Sequence, residues 1–202
     1  MSGPTVRRAL PADAEAVTRL IERAIRISTA GVYPAEAVEA WATGRTAEAV
    51  RAMIEVTDGF VATVGKAVVG WANLDGDEVD QLYVDPDAGG QGVARRLHET
   101  IEALARANGL DQLRAVASLR AEPAFRRFGF REVGTDQVAF NGLPFTVVRM
   151  AKHLDRPLPD QAVVRDGRGR DVAGHGVKSR RNEMPIPLFP PSRTSPWGSV
   201  VT

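Results

Sequence analysis

The chain has 202 residues, of which 44% are hydrophobic and 25% charged, and its formal net charge is +1 at pH 7. This balance is typical of a soluble globular protein with one ordinary domain, and it favours neither nucleic acid nor an anionic membrane as a partner. The absence of cysteine excludes disulfides, thiolate–zinc sites and a cysteine nucleophile. No apolar run reaches the roughly 18 residues that span a membrane, and the N-terminal residues lack a hydrophobic signal core. We therefore expect a cytoplasmic protein.

The first part of the chain predicts one short edge strand and three helices. Residues 5–10 form the predicted strand, and Pro11 begins a helix whose apolar residues recur at spacings of three and four. A second helix is predicted to begin at Pro34, and Thr46 is a candidate cap for a third. The predicted inward residues of the three helices are Val17, Leu20, Ile21, Ala24, Ile25, Val38, Trp41, Val50, Met53 and Ile54.

Three β-rich runs follow, each separated from the next by a short turn. Residues 59–64 and 67–73 are joined by Gly65-Lys66, a two-residue hairpin signal. Asp75-Gly76 then leads into residues 78–84. Adjacent strands joined by such short turns are antiparallel, so the pattern predicts a meander rather than a parallel wound sheet.

A glycine-rich loop follows the third run directly. Asp85-Pro86 ends the strand, and Gly89, Gly90 and Gly92 precede a helix. Glycines let the backbone approach a ligand closely, and the start of a helix presents unpaired N–H groups at the positive end of its dipole. A phosphate or pyrophosphate site is therefore predicted, with a plain structural turn as the alternative. The loop lacks the Lys-Ser/Thr of a P-loop, and it does not follow the first strand of a parallel unit as a dinucleotide fingerprint does.

The helix after the loop is predicted to end at Asn108-Gly109. Its predicted inward residues are Val93, Leu97, Ile101, Leu104 and Ala105. His98 is expected off this apolar stripe, and the three histidines do not cluster, so no metal site is predicted. The remaining predicted elements are a strand at 113–117, a helix at 122–128, a strand at 130–133, a turn at Asn141-Gly142 and a strand at 145–150.

Composition changes after Leu154. Residues 155–202 hold seven of the 13 prolines and eight basic residues against five acidic ones. Periodicity is lost in this stretch, which predicts a weakly structured tail after a domain at residues 1–154. A proline-rich segment of this kind can also recruit a partner protein.

A family resemblance is carried by three stretches of the sequence. They are LYVDPDAGGQGVARRL at 82–97, SLRAEPAFRRFGFREVG at 118–134 and the closing FTVVRMAKHL at 145–154. In this order the elements resemble the GNAT superfamily of acetyl-CoA-dependent N-acetyltransferases over residues 5–154. The resemblance implies an α/β fold of the α+β type, with a central mixed, mostly antiparallel β-sheet flanked by helices. The first stretch resembles the acyl-CoA pyrophosphate motif Q/R-x-x-G-x-G/A, except that Gly89 stands where the family usually has glutamine or arginine. The stretches around Tyr33 to Trp41 and at 118–134 are most similar to small bacterial stand-alone acetyltransferases.

The resemblance implies acetyl-CoA as co-substrate, with no metal. It implies that loop and helix-start amides hold the pyrophosphate, that the strand before the loop pairs with the pantetheine arm, and that the segment at 118–134 walls the far side of the cofactor. The residues so implied are Leu82, Tyr83, Val84, Gly89, Gly90, Gln91, Gly92, Val93, Ala94, Arg95, Ser118 and Phe125.

The implied reaction is direct attack by a small-molecule or protein amine on the thioester, in a monomer or homodimer. An ammonium must first lose a proton, so a general base is expected on the strand at 78–84. Asp80 is the first candidate and Glu78 the second, because strand alternation directs both carboxylates to one face. The alternative for both is a solvated strand start.

The family's usual acid, a tyrosine four residues before the glycine of the GF pair, is replaced here by Phe125. Ser118 is a secondary candidate for donating a proton to the leaving thiolate, and a strand-end cap is its alternative role. Tyr33 and Trp41 are the predicted acceptor-site residues, with core aromatics as the alternative. The departures at Phe125 and Gly89 leave a second functional hypothesis open, a non-catalytic acyl-CoA-binding module.

Overall fold

The protein is described by a computed structural model over residues 3–140 and 142–154. The predicted tail at 155–202, and Asn141 of the predicted Asn141-Gly142 turn, lie outside the described residues. The described strands are β1 (Thr5–Arg8), β2 (Asp58–Val64), β3 (Ala67–Asp75), β4 (Glu78–Val84), β5 (Gln112–Ser118), β6 (Arg131–Phe140) and β7 (Leu143–His153). The described helices are α1 (Ala14–Ser28), α2 (Ala35–Thr43), α3 (Ala47–Val56), α4 (Val93–Ala107) and α5 (Glu122–Arg127).

The seven strands form one mixed sheet in the order β1-β2-β3-β4-β5-β7-β6. The predicted meander is confirmed, since β2 pairs with β3, and β3 with β4, in antiparallel fashion. Only β4 and β5 are parallel neighbours, because α4 carries the chain across the sheet between them. The parallel pair lies at the centre of the sheet.

Helices cover both faces of the sheet, so the hydrophobic core has two parts, one on each face. The predicted inward residues of α1 are buried, as are Val38 and Trp41 of α2 and Val50 of α3. They pack with residues of β2, β3, β4 and β7 into what we call the α1-side core. On the other face α4 and α5 pack against the sheet in the α4-side core, through residues that include Leu97, Ile101 and Phe125. In the sequence, helical spacing therefore located the two sheet-facing surfaces correctly.

Local signals account for the helix starts. Pro34 lies directly before α2, at a position where a backbone N–H has no acceptor within the helix, so the missing N–H of proline costs no hydrogen bond. The hydroxyl oxygen of Thr46 accepts a hydrogen bond from the Ala49 N–H at 3.2 Å, which confirms the predicted cap of α3. Pro11 begins a 3-10 turn, and the α-helix itself begins at Ala14.

The predicted strands at 130–133 and 145–150 were too short. In the structure β6 and β7 form a long antiparallel hairpin, in which Phe145 pairs with Val138 and Met150 with Glu132. A register irregularity between Glu132 and Gly134 interrupts the pairing. None of the described helices is long and apolar enough to cross a membrane.

Candidate functional site

The central parallel strands β4 and β5 meet at one end only. Their one registered pair joins Glu78 and Arg114, and the Arg114 N–H donates a hydrogen bond to Asp77 O at 2.9 Å. The Arg114 guanidinium also pairs with the Asp77 carboxylate, with Nε to Oδ2 at 2.8 Å. Beyond this clamp, the described parts of the two strands form no further registered pair. An opening therefore widens between them toward Val84 and Ser118.

The glycine loop lies where β4 ends, beside this opening. The Asp85 carboxylate accepts a hydrogen bond from the Asp87 N–H at 2.9 Å, which fixes the tight turn after the strand. Gly90 and Gly92 have φ angles of +74° and +78°, a left-handed conformation that favours glycine. No heavy atom lies within 4 Å of a Cβ built at either position. The space beside the backbone at both glycines is therefore open in the described part of the chain.

Helix α4 begins directly after Gly92. Among the described residues, no backbone carbonyl accepts a hydrogen bond from the N–H groups of Val93, Ala94 and Arg95; the first helical hydrogen bond runs from Arg96 to Gly92. Amides without a partner in the described chain, at the positive end of a 15-residue helix, are the groups that can bind an anion. The role of this loop as a pyrophosphate site stays a prediction.

Gly89 precedes the left-handed glycines and has an ordinary φ of −57°. A Cβ built at this position would lie 3.0 Å from Pro86 O, which is a tight contact. The Gly89 N–H donates a hydrogen bond to the same oxygen. Close packing of the turn thus accompanies the loss of the side chain that the family usually has here.

Two carboxylates stand at the base of the loop, and one cation faces both. Arg23 of α1 forms an ion pair with Asp85 and a second with Asp87, whose Oδ2 lies 2.7 Å from Arg23 Nη2. Uncompensated carboxylates next to an anion site would repel the ligand. Arg23 therefore both neutralises the loop and attaches it to α1.

Asp80 occupies a β-bulge in β4. Asn73 pairs with Gln81, but the next residue, Leu74, pairs with Val79, so Asp80 is the extra residue. Val79 and Leu82 both pack in the α4-side core although they are three residues apart. Glu78 and Asp80 flank Val79 and therefore lie on the α1 side of the sheet.

The Asp80 carboxylate is 2% exposed and is only partly satisfied. Its Oδ2 accepts a hydrogen bond from Asn73 Nδ2 at 3.0 Å, whereas Oδ1 has no hydrogen-bond partner in the described chain. Burial raises the pKa of nearby Asp75, and the negative charge of Asp80 raises it further. An acceptor ammonium would be attracted to this acidic end of β4.

Three further polar residues, none of them predicted, are buried in the structure: Asn73, Gln81 and Arg45. Gln81 Oε1 accepts a hydrogen bond from Trp71 Nε1 at 2.9 Å, while its Nε2 has no partner in the described chain. Asn73 Oδ1 is likewise unpaired there. Arg45, between α2 and α3, is 4% exposed and lies over the ring of Tyr83. A polar residue inside an apolar strand was the available signal for Asn73 and Gln81, whereas nothing in the sequence distinguished Arg45 from a surface arginine.

Phe125 and Ser118 line the segment that follows β5. Phe125 is 1% exposed, and its ring packs edge-on against Phe130 with centroids 5.0 Å apart. Ser118 is fully buried, and its hydroxyl oxygen accepts a hydrogen bond from the Ala121 N–H at 3.1 Å. The Ser118 hydroxyl therefore caps the turn into α5; a hydroxyl that accepts a hydrogen bond can also donate its proton to a second partner.

Tyr33 and Trp41, the predicted acceptor-site aromatics, lie in the α1-side core and contact each other edge-on. The Tyr33 hydroxyl donates to Thr146 O and accepts from the Leu119 N–H, both at 2.8 Å. Burial raises the pKa of this hydroxyl. Tyr33 thus ties the α1–α2 connection to β7 and to the end of β5. Its contact with an acceptor stays a prediction, as does that of Trp41.

His98 was expected off the apolar stripe of α4, and the structure corrects this. It is 2% exposed, and its ring stacks on Phe128 with centroids 4.6 Å apart. His98 Nε2 lies 3.1 Å from Glu102 Oε2 and 3.3 Å from Lys152 Nζ. The described residues contain no group of three or more His, Asp or Glu side chains that could hold a metal ion.

Comparisons with known proteins agree with this architecture. The family model for the acetyltransferase (GNAT) domain matches residues 29–154, more than half of the chain. The crystal structure of a GCN5-related N-acetyltransferase from Rhodopseudomonas palustris has a TM-score of 0.73 and 33% sequence identity, over 76% of this chain and 98% of that chain.

Curated relatives give the same result. The uncharacterized N-acetyltransferase YafP of Escherichia coli strain K12 is 27% identical over 72% of this chain and 93% of its own length. The peptidyl-lysine N-acetyltransferase YjaB of Salmonella typhimurium is 32% identical over 41% of this chain and 55% of its own length. The fold, the extent of the family match and these relatives together show that the chain belongs to the GNAT family and is an N-acetyltransferase.

Proposed function

We propose that the acyl donor is acetyl-CoA and that it lies along the opening between β4 and β5, with its pyrophosphate at the start of α4. The observation that carries this proposal is the continuity of the two features: the open edge of β4 runs directly into a loop that ends in three amides without a partner among the described residues. Two neighbours of the same fold support it, PaiA from Thermoplasma acidophilum in complex with coenzyme A and YncA from Salmonella typhimurium with acetyl-CoA.

Within this proposal the amides from Gly90 to Arg95 hold the pyrophosphate. Gly89 and Gln91 complete the loop, and Leu82, Tyr83 and Val84 of β4 pair with the amides of the pantetheine arm. Ser118 and Phe125 form the opposite wall. Acetyl-CoA supplies an activated acetyl thioester, and backbone N–H groups of β4 would polarise its carbonyl without reorganisation.

The acceptor amine is positioned on the α1 side of β4, where it attacks the thioester carbonyl directly while both substrates are bound. Asp80 is the proposed general base, because its Oδ1 is buried and unpaired in the described chain. Glu78 is the second candidate, at the clamped end of β4. Proximity and orientation of the two bound substrates contribute a large part of the rate.

The thiolate that leaves the thioester does not require a strong acid in this site to protonate it. A thiol has an ordinary pKa of about 8.5, so its thiolate is a good leaving group and water can protonate it. The Ser118 hydroxyl proton is the proposed protein source. Phe125 contributes shape to the wall and has no proton to donate.

The acceptor is proposed to be an amine of a small molecule or of a protein. The Salmonella relative is named a peptidyl-lysine N-acetyltransferase, which supports a protein amine as one option. We propose a cytoplasmic monomer or homodimer. The proposed domain is residues 1–154, which agrees with the end of the family match at residue 154.

Free-thiol release tests the function. Acetyl-CoA is incubated with the full chain and a panel of primary amines, and each acetylated product is identified by mass spectrometry. The expected result is thiol release that depends on the amine and matches the product in amount. If acetyl-CoA binds, yet no amine raises release above the hydrolysis background, the protein is the alternative, a non-catalytic acyl-CoA-binding module.

A further inference from the structure

Arg45 is a buried cation without an anionic partner in the described chain. It lies between α2 and α3, and its Nη1 donates a hydrogen bond to Trp41 O at 3.2 Å. Its Nε and Nη2 have no hydrogen-bond partner among the described residues, and no carboxylate there forms an ion pair with it. Four per cent of the residue is exposed.

Such an arrangement is costly unless something completes it. A buried charge requires a partner, because desolvation removes the stabilisation that water supplied. The ring of Tyr83, whose centroid lies 6.0 Å from Arg45 Cζ, offers a cation–π contact but accepts none of the remaining N–H groups. Nε and Nη2 form one edge of the planar guanidinium, the edge that binds a carboxylate through two parallel hydrogen bonds.

The position of Arg45 relates it to the reaction. Tyr83 belongs to β4, whose open edge is the proposed thioester site, and its ring lies in the α1-side core. Gln81, on the same face two residues away, is about 7 Å along the strand. Its unpaired Nε2 and the unpaired Oδ1 of Asp80 come next in that direction.

On the α1 side of β4, two donors therefore lie beside Tyr83 and two acceptors lie nearer the Glu78 end, and none of the four has a hydrogen-bond partner in the described chain. The donors are Arg45 Nε and Arg45 Nη2, and the acceptors are Asn73 Oδ1 and Asp80 Oδ1. Gln81 Nε2, also without a partner there, lies beside the acceptors, because Gln81 pairs with Asn73. This order is complementary to a molecule with a carboxylate and an ammonium a few bonds apart.

We propose that the acceptor is an amino acid, with its carboxylate bound by Arg45 and its amine directed to Asp80. The proposal rests on the proposed acetyl transfer and narrows its substrate class. Arg45 acts as a specificity-determining residue, because an acceptor without a carboxylate leaves the guanidinium edge buried and unpaired.

Matched acceptors test this directly. Initial rates of thiol release are measured with the full chain, saturating acetyl-CoA, and each of the common amino acids beside its own α-carboxamide. The carboxamide keeps the shape and the amine but loses the negative charge. For the preferred amino acid we expect a kcat/KM about tenfold or more above that of its carboxamide, the size of effect expected for a charge-assisted bidentate contact.

Variants of Arg45 test whether this residue causes the preference for an amino acid over its carboxamide. Arg45→Gln should bring the acid-to-amide ratio close to one, and Arg45→Lys should keep part of it, because the positive charge remains. Arg51→Gln, on the exposed face of α3, is the matched control and should leave the ratio unchanged. A ratio that Arg45→Gln leaves intact would overturn the assignment.

A second measurement does not need the variant to fold. Trp41, whose carbonyl Arg45 contacts, is a fluorescent reporter beside the site. With coenzyme A present, amino acid should change the tryptophan emission of the wild-type protein in a saturable way at concentrations where its carboxamide does not. Equal rates and equal binding for acid and amide, or a preference for lysine in peptides, would sink this inference and leave the acetyltransferase standing. Thiol release with no amine at all would instead sink the proposed function.

Discussion

Asn73 of β3 donates a hydrogen bond from Nδ2 to Oδ2 of Asp80 at 3.0 Å, at the bulge in β4. Thr57, at the end of α3, is the second acceptor for the same amide, at 3.3 Å. Both contacts hold Asn73 in place, so Asp80 is oriented by a fixed partner while its Oδ1 stays open. A bulge that re-aims one side chain beside a site is a recurrent use of this irregularity.

Asp80→Asn tests the proposed base. The amide is nearly isosteric and cannot take a proton, so kcat should fall by about a hundredfold or more. Coenzyme A affinity, measured by calorimetry, should not change, because the pyrophosphate cradle is made of backbone amides. Glu78→Gln should lower kcat less. A larger loss in Glu78→Gln than in Asp80→Asn would transfer the role to Glu78.

Gly92→Ala tests the cradle, and Gly109→Ala is its control. Both glycines flank α4 with φ above +70° and open space around the Cβ position. Alanine at either site should therefore cost about 1 kcal/mol of unfolding free energy. Only Gly92→Ala should also weaken coenzyme A binding, by about tenfold, since its methyl group would stand where a phosphate approaches the amides. Equal affinities for the two variants would place the pyrophosphate elsewhere.

Arg23→Gln should weaken acetyl-CoA binding by removing the cation that faces Asp85 and Asp87. Both carboxylates would then oppose the bound anion, and the turn would lose its attachment to α1. The loss of acetyl-CoA affinity should become smaller as salt is added, because the ion pairs of Arg23 are partly exposed and salt screens them. Arg26, on the same helix as Arg23, forms a comparable pair with Glu39 of α2; Arg26→Gln breaks this pair and should leave the KM for acetyl-CoA unaltered. Identical effects of the two changes would contradict a local role for Arg23.

The Tyr33→Phe variant distinguishes a structural role of Tyr33 from its predicted contact with the acceptor. The change leaves the Leu119 N–H and Thr146 O without their shared partner, and the cost should be about 2 kcal/mol in a denaturant titration. Thr43→Ala, which removes an exposed hydrogen bond to Glu39 O, should cost within about 0.5 kcal/mol. A rise in the acceptor KM of Tyr33→Phe, at temperatures where the variant is fully folded, would support the predicted acceptor contact. An unaltered KM would leave Tyr33 as a structural tie.

The sequence predicted the elements whose signals are local. Gly65-Lys66 and Asp75-Gly76 mark the two turns of the β2–β4 meander, and the period of α4 marks its buried face. The predicted strand at 130–133 is shorter than β6 because residues 134–137 are polar and lack the alternation of apolar and polar side chains that indicates a strand. The strand forms there through pairing with β7 at the edge of the sheet, a long-range contact that no local window contains.

The polar cluster on the α1 side could be predicted only in part. Strand alternation directed Asp80 and Glu78 to one face, but the bulge, on which Asp80 depends, is set by pairing with β3. Arg45 lies far from β4 in sequence, and its burial depends on how α2 and α3 pack. His98 was missed for the same kind of reason, because Phe128 and Phe130 cover it from a distant segment.

His98 should make stability depend on pH. Burial lowers its pKa from 6.5 to about 4, the positive charge of Lys152 lowers it too, and Glu102 opposes both. Between these values the unfolded chain binds a proton that the folded chain does not, so stability is complete above about pH 6.5 and falls as the pH drops toward 4. At pH 5 the loss from this group should be about 2 kcal/mol.

Urea titrations of wild type and His98→Gln from pH 7.5 to 4.5 measure this loss. Apart from Glu102, whose pKa the charge of His98 helps to lower, the carboxylates are common background in both proteins, so the informative quantity is the difference between their unfolding free energies. That difference should shift in favour of the variant by about 2 kcal/mol on going from pH 7 to pH 5, because glutamine takes up no proton. Thr43→Ala, at an exposed position on α2, changes no titratable group; it is the control and should give a difference independent of pH. A flat difference for His98→Gln would mean that His98 is protonated as easily in the folded chain as in the unfolded one, and that its contacts with Glu102 outweigh its burial.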